Sequence, residues 1–592
     1  MTFDQGIIFA VLACAMVLFA WGKWRYDVVA VLALLVVVFA GVVPAHDAFM
    51  GFGHPAVITV AAVLIISRAL KISGVVELLV GLLSRSRNRP SSQIAATGSM
   101  AAVLSAFMNN VGALALMLPV ALRNAALSKE PPSRILMPLS FATLLGGLVT
   151  LIGTPPNIII ASFRESAEGA AFSMFDFTPV GLAVAVAGML FISLVGWRLL
   201  PANRRSNPDD HDRFEIEAYI IEARVPEKSD LVGKQIRALE HLCDNEVSLM
   251  MTIRGERRRF APAGTERLRA GDILILEGDP TALNPLFAEN KLEVSREPHL
   301  SVEDLESEEI ELVEAVVMPL SLIEGRSMRG MKMHERYGIN LLAIARQGQA
   351  PKTRLGSIRF KTGDILLLQG ERQSLKEVLS NLGCLPLAER GISLAPPKKS
   401  LLPAAIFALA IGAAALGLVQ VQIAFVAAVV ALLICNCLSM RDVYDAVEWP
   451  VIVLLGALLP IGEALQSTGG TALIAGGITE LAGEIPIWAL LTLLLVVSML
   501  LSDLVHNSPT AVLMAPIAIS IAKGLGLPAD PFLMAVAVGS ASPYLTPIGH
   551  QSNTLVMGPG GYHFADYWRM GLPLDAIIVA VAIPMIMWVW MP

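Results

Sequence analysis

Charged residues are scarce in this chain of 592 residues, where Asp, Glu, Lys and Arg together make up only 16%. Soluble domains average about 25% charged residues, so the deficit argues against an ordinary cytosolic enzyme. The 55% content of apolar residues also argues against intrinsic disorder, which requires low hydrophobicity and high net charge. A net charge of −6 gives no sign of a nucleic-acid partner. Five cysteines are too few for a disulfide-stabilised scaffold.

The basic residues are unevenly distributed along the chain. Of the 44 Lys and Arg residues, 29 lie between Arg204 and Lys399. The flanks are therefore poorer in charge than the average indicates, which predicts two membrane-embedded regions around one soluble insert. The predicted domains are membrane repeat 1 at 1–203, insert units at 208–295 and 304–390, and membrane repeat 2 at 398–592.

Apolar stretches close to the length needed to cross a bilayer, about 20 residues, occur in both flanks. They lie near 5–22, 27–44, 54–72, 135–163 and 178–200, and near 401–417, 421–438, 450–466, 486–502, 530–558 and 572–591. Basic residues mark the cytoplasmic side of membrane proteins, and basic loops alternate here with loops that have few basic residues. We therefore expect a multi-pass protein of the plasma membrane, such as a bacterial inner membrane, with both termini outside and the insert in the cytoplasm.

The two flanks carry the same polar and turn-forming residues at a nearly constant spacing of 395 to 397 residues. Matched pairs include Asn110 and Asn507, Pro119 and Pro516, Thr150 and Thr546, Gly153 and Gly549, and Asn157 and Asn553. A register kept over such a length indicates an internal duplication. Because each copy is predicted to cross the membrane an odd number of times, the copies have opposite orientations. Inverted repeats place a binding site near the membrane midplane.

Polar interruptions occur within the apolar stretches of both halves. The segments 105–112 and 502–510 predict the tips of re-entrant hairpins, and 153–157 and 549–553 predict a broken helix in each half. Non-helical backbone at membrane depth is tolerated only where it is buried or lines a cavity. Helix N-termini there favour an anion, and unwound carbonyls favour Na⁺. Each interruption alone would fit a kink or a helix contact, but the recurrence favours a transport site.

Asp503, His506 and His550 are polar or ionisable and occur only in the second half. Ionisable residues within membrane segments are functional candidates by default. They provide an alternative in which protons replace sodium as the coupling ion. The simpler interpretation is that Asp503 pairs with a neighbouring polar group and that His506 packs at a hairpin tip.

Residues 208–295 and 304–388 of the insert weakly resemble each other. Gly271-Asp-Ile-Leu-Ile-Leu-Glu-Gly278 matches Gly363-Asp-Ile-Leu-Leu-Leu-Gln-Gly370, and strands are predicted at 246–253 and 339–345. Each copy is thus a small α+β unit. No G-x-G-x-x-G follows a strand here and no Walker motif occurs, which argues against a Rossmann domain or an ATPase. The arginines at 254 and 257–259 fit a solvated hairpin better than a site for a nucleotide or an anionic lipid.

Both flanks resemble the divalent anion–sodium symporter (DASS) family of the ion transporter superfamily. The stretch 546–562 (T-P-I-G-H-Q-S-N-T-L-V-M-G-P-G-G-Y) is similar to the sulfate-permease-like branch, which carries a central insert, and Gly146-Gly147 with Ile152-Gly-Thr154 matches the first-half counterpart. The insert resembles two TrkA-C (RCK C-terminal) domains, a regulatory module. The resemblance implies a multi-pass α-helical membrane protein with two inverted repeats, re-entrant hairpins, broken helices and a cytoplasmic α+β insert. It also implies a homodimer and an elevator-like movement of one domain.

In that family each hairpin tip carries Ser-Asn-Thr, where this chain has Asn109-Asn110-Val111 and His506-Asn507-Ser508. The conserved central Asn implies that Asn110 and Asn507 bind sodium and substrate. The full set of candidate substrate-binding residues is Asn109, Asn110, Thr154, Asn157, Asn507, Ser508, Thr510, His550 and Asn553. The candidate sodium-binding residues are Asn110, Gly112, Gly153, Asn507, Gly549 and Ser552. The candidates for proton coupling are Asp503, His506 and His550.

Together these patterns predict a secondary active transporter rather than an enzyme. It would import a small divalent anion, sulfate ahead of dicarboxylates, by sodium symport. Sodium is the coupling ion, no organic cofactor is expected, and the insert would respond to a nucleotide or another small ligand. The alternatives are a cation transporter or sodium/proton antiporter, a proton-coupled anion transporter, and a membrane sensor that binds without flux. A potassium channel is disfavoured because no T-V-G-Y-G filter is present.

Overall fold

The chain forms two compact units. The first comprises Met1–Arg204, Ile392–Thr554 and His563–Pro592, and the second comprises Arg205–Gly391 with Leu555–Tyr562. The structure is a computed structural model, and it describes residues 2–21, 24–73, 90–128, 130–200, 220–236, 248–254, 257–260, 266–277, 286–287, 292–294, 310–319, 321–331, 333–346, 358–387, 401–473, 476 and 485–591. The limits predicted for the four domains fall outside these residues.

The first unit contains two series of helices that follow the same order along the chain. The first series is α1 (Phe3–Trp21), α2 (Tyr26–Phe39), α3 (Pro55–Ile72), α4 (Pro90–Ser105), α5 (Asn110–Ser128), α6 (Leu136–Gly147), α7 (Pro155–Glu168) and α8 (Thr178–Leu194). After the insert, the second series is α12 (Leu402–Ala415), α13 (Val421–Ile434), α14 (Met440–Ala446), α15 (Trp449–Ser467), α16 (Ile487–Leu504), α17 (Asn507–Gly524), α18 (Asp530–Ser540), α19 (Gln551–Met557) and α20 (Tyr567–Trp590).

The packing of the helices also repeats between the two halves. Helix α4 packs on α5 and α6 as α16 packs on α17 and α18, and α2 packs on α15 as α13 packs on α3. Helices α8 and α20 pack against each other. Helix α16 is long and apolar enough to cross a membrane, as the segment 486–502 predicts, and its packing matches that of α4.

The described residues include four helices that are long and apolar enough to cross a membrane, namely Pro55–Ile72, Trp449–Ser467, Ile487–Leu504 and Phe564–Trp590. Shorter apolar helices of 10–17 residues accompany them in both halves. The series of apolar helices agrees with the prediction of a membrane protein from composition.

Two of the long apolar stretches are broken, as the sequence predicts. Helix α6 ends at Gly147 and α7 begins at Pro155, while α18 ends at Ser540 and α19 begins at Gln551. Proline at the first position of α7 lacks the N–H that would continue a preceding helix. A Cβ atom at Gly153 would lie 2.5 Å from the Gly147 carbonyl oxygen, so the tight return of the chain requires glycine.

The second unit contains two antiparallel sheets with the strand orders β3-β2-β4-β1-β5 and β7-β8-β6-β9. Its strands are β1 (Ile220–Arg224), β2 (Ser248–Arg254), β3 (Arg257–Phe260), β4 (Ile273–Glu277), β5 (Glu293–Val294), β6 (Ile310–Val317), β7 (Asn340–Ala345), β8 (Ile365–Glu371) and β9 (Cys384–Pro386). Its helices are α9 (Met328–Met331), α10 (Met333–Tyr337) and α11 (Arg372–Leu382). Buried apolar residues of both sheets, including Met251, Ile275, Leu342, Ile365 and Leu367, form one shared cluster.

The two sheets repeat the same buried ion pair 92 residues apart. Arg254 donates to both carboxylate oxygens of Asp272 at 2.8 and 2.7 Å, and Arg346 does the same to Asp364 at 2.7 Å for both contacts. Each aspartate is almost fully buried, and its hydrogen bond raises the pKa of the guanidinium above the usual value. The predicted hairpin is present, since β2 pairs with β3, and Arg254 belongs to an ion pair.

Candidate functional site

An open cavity lies where the two predicted hairpin tips meet the two broken helices. It has an empty volume of about 510 Å³, open solvent included. The residues that line it are Tyr26, Asn109, Asn110, Val111, Pro155, Glu448, Val451, Leu454, His506, Asn507, Ser508, Pro509, His550 and Gln551. Residues more than 390 positions apart thus share one site, as the repeat predicts.

Four helices begin at this cavity. Their first residues are Asn110 of α5, Pro155 of α7, Asn507 of α17 and Gln551 of α19, and all four line it. A helix N-terminus carries unsatisfied N–H groups and the positive end of the helix dipole, equivalent to about half an elementary charge. Since Pro155 and Pro156 have no N–H group, α7 contributes its dipole rather than donors from its first two residues.

Asn110 is held at the first tip by several polar groups. In the amide orientation that satisfies every partner, its Nδ2 faces Ser105 Oγ at 2.6 Å and donates to the carbonyl oxygens of Thr143 and Gly153 at 3.2 and 3.3 Å. A side chain at Gly147 would collide with this amide, so glycine there leaves room for Asn110. The first tip therefore presents Asn110 rigidly, at 4% exposure.

His550 links the second broken helix to Asn110. Its Nδ1 accepts a hydrogen bond from the Ser552 N–H at 3.0 Å, which assigns the proton of the neutral ring to Nε2. That Nε2 lies 3.5 Å from the Asn110 side-chain amide. With Asn110 Oδ1 turned toward it, the imidazole N–H and the amide oxygen are complementary.

Asn109 connects the first tip to the start of α15. Its Nδ2 donates to Glu448 Oε1 at 2.5 Å, and its Oδ1 accepts from the Gly112 N–H at 2.9 Å. Glu448 is the carboxylate among the cavity-lining residues. No Lys or Arg lines the cavity in the described part of the chain.

The second tip has an unusual backbone at His506. Its φ of 130° and ψ of 150° belong to a region that is populated almost only by glycine. The ring lies 5.8 Å from that of Tyr26 between centroids, and the carbonyl oxygen accepts from the Thr510 hydroxyl at 2.8 Å. Asn507 Oδ1 accepts from the Ser508 N–H at 2.8 Å, so the tip caps itself. Strain of this kind concentrates at functional sites.

Asn157 and Asn553 hold the broken helices closed from inside. Asn157 Nδ2 donates to the carbonyl oxygens of Gly147 and Thr150 at 3.3 and 2.9 Å. Asn553 makes the equivalent bonds to Pro543 and Thr546 at 2.8 and 3.2 Å. Each pair of acceptors precedes its asparagine by ten and seven residues, which is the same loop built twice.

The halves differ at the side-chain oxygen, Oδ1, of these two asparagines. Asn553 Oδ1 accepts from the Ser140 hydroxyl at 2.8 Å, whereas the buried Oδ1 of Asn157 has no hydrogen-bond partner within the described residues. The hydroxyls of Thr154 and Ser552 are likewise buried and unpartnered in that part of the chain. These oxygen atoms are candidate cation ligands, because hard cations take oxygen ligands.

The structure therefore brings only part of the predicted site together at the cavity. Asn109, Asn110, His506, Asn507, Ser508 and His550 line it. Thr154, Asn157, Thr510, Asn553, Gly112, Gly153, Gly549, Ser552 and Asp503 are not among the lining residues. Asp503 instead accepts from the Leu545 and Thr546 N–H groups at 2.9 and 3.2 Å.

Glu448 and Tyr26 are lining residues that the sequence analysis missed. Glu448 lies two residues before the predicted segment 450–466, and an acidic residue at the edge of an apolar helix is easily assigned to a loop. Its partner Asn109 is 339 residues away, and nothing in the local sequence indicates their contact. Tyr26 lies at the first position of α2 and has no counterpart in the second half, where Val421 begins α13.

The apolar helices and the polar cavity are typical of an integral membrane transporter. A family model described as "CitMHS: Citrate transporter" matches residues 16–539 and 487–592. The chain therefore belongs to the CitMHS citrate transporter family.

Relatives and a solved structure extend this comparison. An uncharacterized transporter of Synechocystis sp. is 32% identical over 585 residues, covering 98% of this chain and 95% of its own. Sodium/sulfate cotransporter 1 of Chlamydomonas reinhardtii is 28% identical over 391 residues, covering 62% of this chain and 43% of its own. The YdaH transporter of Alcanivorax borkumensis has 14% identity and a TM-score of 0.41, covering 94% of this chain and 88% of its own.

Family membership confirms the prediction at the level of the superfamily. The protein is a multi-pass membrane transporter of the citrate and sulfate permease type and not an enzyme. The sulfate-permease-like DASS branch, the TrkA-C domains and the individual site residues stay predictions.

Proposed function

We propose that this protein imports a small divalent anion, with sulfate ahead of dicarboxylates, by sodium symport. The observation that carries the proposal is the convergence of helix N-termini on a cavity lined without Lys or Arg. The three longer helices, α5, α7 and α17, together supply the equivalent of about 1.5 positive charges. That field suits a compact divalent anion bound by N–H groups and amides.

The self-capped tips support a binding step in which the anion replaces internal partners. The Ser508 N–H donates to Asn507 and the Gly112 N–H donates to Asn109. An oxyanion can take over such N–H donors at a helix start. The Asn side chains that it replaces are then free to turn toward substrate or ion.

Sodium is supported by the charge of the cavity and by the orphaned oxygens beside it. Glu448 places a carboxylate at the cavity where a divalent anion would bind, so a cation is needed to offset the repulsion. The proposed sodium-binding residues are Asn110, Gly112 and Gly153 at the first tip and Asn507, Gly549 and Ser552 at the second. The unpartnered oxygens of Thr154, Asn157 and Ser552 lie in the same broken-helix segments.

The choice of sulfate over a carboxylate is supported by the names of relatives and by the side chains that line the cavity. Relatives in Chlamydomonas reinhardtii are named sodium/sulfate cotransporters, whereas the family model is named for citrate. Carboxylates are often recognised by the bidentate fork of arginine, which is missing from the described cavity lining. A tetrahedral oxyanion instead fits donors that arrive from several helix starts.

We also propose that the two helical halves are inverted repeats and that the termini face outside with the insert in the cytoplasm. The insert is proposed to be a regulatory pair of TrkA-C-like domains that bind a nucleotide or another small ligand. The repetition of the Arg254–Asp272 pair as Arg346–Asp364 supports two related domains. The homodimer and the elevator-like movement are proposed from the resemblance alone.

Uptake of labelled sulfate into proteoliposomes tests this function. We expect uptake to follow an inward sodium gradient, to be absent with a potassium gradient of the same size, and to be inhibited more strongly by excess sulfate than by succinate or citrate. No sodium-dependent uptake of any of these anions would contradict the proposal. Stronger inhibition by citrate than by sulfate would leave sodium symport in place and contradict sulfate as the preferred substrate.

Proton coupling is a second candidate because His506 and His550 both line the cavity. It predicts uptake that follows an inward proton gradient without sodium. A cation transporter or sodium/proton antiporter is disfavoured because it provides no anion for the helix N-termini that meet at the cavity. Sodium uptake in the complete absence of a transported anion would favour the antiporter.

A further inference from the structure

Three buried polar side chains of the second half form a cluster outside the cavity. Asp503 Oδ2, the Tyr544 hydroxyl and Asp575 Oδ1 have no hydrogen-bond partner among the described residues. The three residues are 3%, 0% and 8% exposed. Asp503 Oδ1 accepts from the Leu545 N–H, next to Tyr544, at 2.9 Å, and Gly571, one turn before Asp575, lies against the Tyr544 carbonyl group. We call this group of Asp503, Tyr544 and Asp575 the acidic cluster.

The cluster joins three elements of the second half. Asp503 is in the last turn of α16, Tyr544 follows α18 in the segment that leads to α19, and Asp575 is on α20. The Tyr544 ring packs edge-on against Phe141 at 4.9 Å between centroids. Ser542 lies close to the Tyr544 hydroxyl, and its own hydroxyl donates to the Val538 carbonyl oxygen at 2.7 Å.

The first half has an equivalent of Asp503 that carries no charge. The Thr546 hydroxyl donates to the Asp503 carbonyl oxygen at 2.7 Å. The matching Thr150 hydroxyl donates to the Ala106 carbonyl oxygen. The same backbone contact thus places alanine in one half where the other half has a buried aspartate.

The other two members also have apolar equivalents. Gly571 of α20 lies against the Tyr544 carbonyl group, and Gly181 of α8 lies against that of Leu148. Asp575 comes four residues after Gly571, on the same face of its helix, and Ala185 comes four residues after Gly181. The equivalents of the acidic cluster are therefore Ala106, Leu148 and Ala185, which are all buried.

This difference leaves buried charge that must be compensated. The first half has three apolar side chains at these positions. Two buried carboxylates without a basic partner are costly, and either a proton or a bound cation can neutralise them. Neither Asp503 nor Asp575 forms an ion pair within the described chain. A bound cation would offset this cost and use the three oxygen atoms left without partners.

We propose that the acidic cluster binds a sodium ion, in addition to those proposed at the hairpin tips. The three oxygens are the ligand type that a hard cation takes, and ionisable residues buried in membrane segments mark ion sites. An ion held by α16, by α20 and by the segment that leads to α19 would link the second hairpin to its broken helix. This inference concerns cation binding alone and does not depend on which anion is transported.

Equilibrium binding of ²²Na⁺ to the purified full chain, without any transported anion, tests the site. Asp503→Asn with Asp575→Asn removes both charges, while the asparagine oxygen can still accept from the Leu545 and Thr546 N–H groups. We expect this double variant to bind about one Na⁺ fewer per chain than the unchanged protein. Asn124→Ala on α5 serves as the matched control, because it lies outside the acidic cluster and the proposed tip sites, and it should bind as much Na⁺ as the unchanged protein.

A second variant keeps the test valid if the amides disturb folding. Asp503→Ala, Tyr544→Leu and Asp575→Ala together install the residues of the first half, so we expect the same loss of Na⁺ with an unchanged or higher unfolding midpoint. Equal Na⁺ binding by both variants and the unchanged protein would overturn the site. If the variants lose proton uptake and still bind as much Na⁺ as the unchanged protein, the sodium assignment is overturned. Failure of sulfate uptake with Na⁺ binding intact would refute only the proposed function.

Discussion

The two halves of the membrane unit have the same supporting hydrogen bonds and different side chains at their hairpin tips. Asn157 and Asn553 close their broken helices through equivalent carbonyl groups, and Thr150 and Thr546 each bond the hairpin beside them. The tips diverge from Asn109-Asn110-Val111 to His506-Asn507-Ser508. The hydrogen bonds that hold the fold are thus duplicated, whereas the residues that flank the shared central asparagine of the tips and those of the acidic cluster differ.

The insert provides a contrast with this divergence. Its two sheets keep both members of the buried Arg–Asp pair, and Arg267 and Arg359 donate to equivalent carbonyl oxygens of Gly233 and Gly325 at 3.0 and 3.1 Å. Such near-identity indicates that these contacts stabilise the domains. A polar contact shared by both copies can therefore be structural, and the positions that differ between copies are a second guide to chemical role.

The largest expected effect is on transport, at the asparagine shared by both tips. Asn110→Ala should lower sodium-driven sulfate uptake by about 100-fold, because several buried hydrogen bonds of about 1 kcal/mol each are lost together. Asn507→Ala should lower it by about 10-fold, since its side chain bonds mainly its own tip.

Asn124→Ala, on the same helix as Asn110, is the matched control and should leave uptake unchanged. Uptake would be compared at equal amounts of folded protein in the vesicles. Full activity in both tip variants would exclude these asparagines from the site.

The next largest effect is a loss of local stability in the insert, and it should be equal in the two copies. Asp272→Ala and Asp364→Ala should each lower the local free energy of unfolding by about 2–3 kcal/mol, because a charge-assisted bidentate pair is lost. Hydrogen exchange of the β4 and β8 amides in the full chain measures this directly. A large effect in only one copy would show that the symmetry of the pair does not reflect equal stabilisation.

A smaller loss of stability is expected for the asparagines inside the broken helices, and it should differ between the two halves. Asn553→Ala removes three hydrogen bonds and should cost about 2–3 kcal/mol, whereas Asn157→Ala removes two and should cost about 1–2 kcal/mol. The unfolding midpoints of the purified variants rank the two. Ser140→Ala removes only the third bond of Asn553, so its cost should account for the difference. The reverse ranking would contradict the assigned bonds.

The smallest effect should be a gain of stability. His506→Gly should raise stability by about 1 kcal/mol, since glycine adopts the backbone angles of this tip without strain. The same variant should reduce sulfate uptake because it removes the ring beside Tyr26. Asn109→Gly, at the equivalent position without positive φ, is the control and should destabilise. A loss of stability in His506→Gly would mean that the backbone is not strained there.

Much of the membrane unit could be predicted from the sequence, because its signals are local or repeated. Continuous apolar stretches gave most helices to within a few residues, and the recurring glycine and proline positions located both helix breaks. The constant spacing also identified both tips as neighbours of one site. In the insert, the Gly-Asp turns correctly preceded β4 and β8.

The features that could not be predicted from the sequence depend on contacts between residues far apart in the chain. Glu448 enters the cavity only because the fold brings it to Asn109. Asn157 and Asn553 were predicted to bind substrate, yet their amides face backbone carbonyls inside the loops. The acidic cluster was recognised only through Asp503, since the approach of Tyr544 and Asp575 requires α20 to pack against the broken helix.

Protection of a cysteine placed in the cavity tests the central claim most directly. Val111 lines the cavity at the first tip, so Val111→Cys in a chain whose five native cysteines are replaced by serine should react with a maleimide. The account predicts that sulfate slows this reaction in the presence of sodium and not with choline in its place. Labelling at the same rate with and without sulfate, in a protein that still takes up sulfate, would contradict the account.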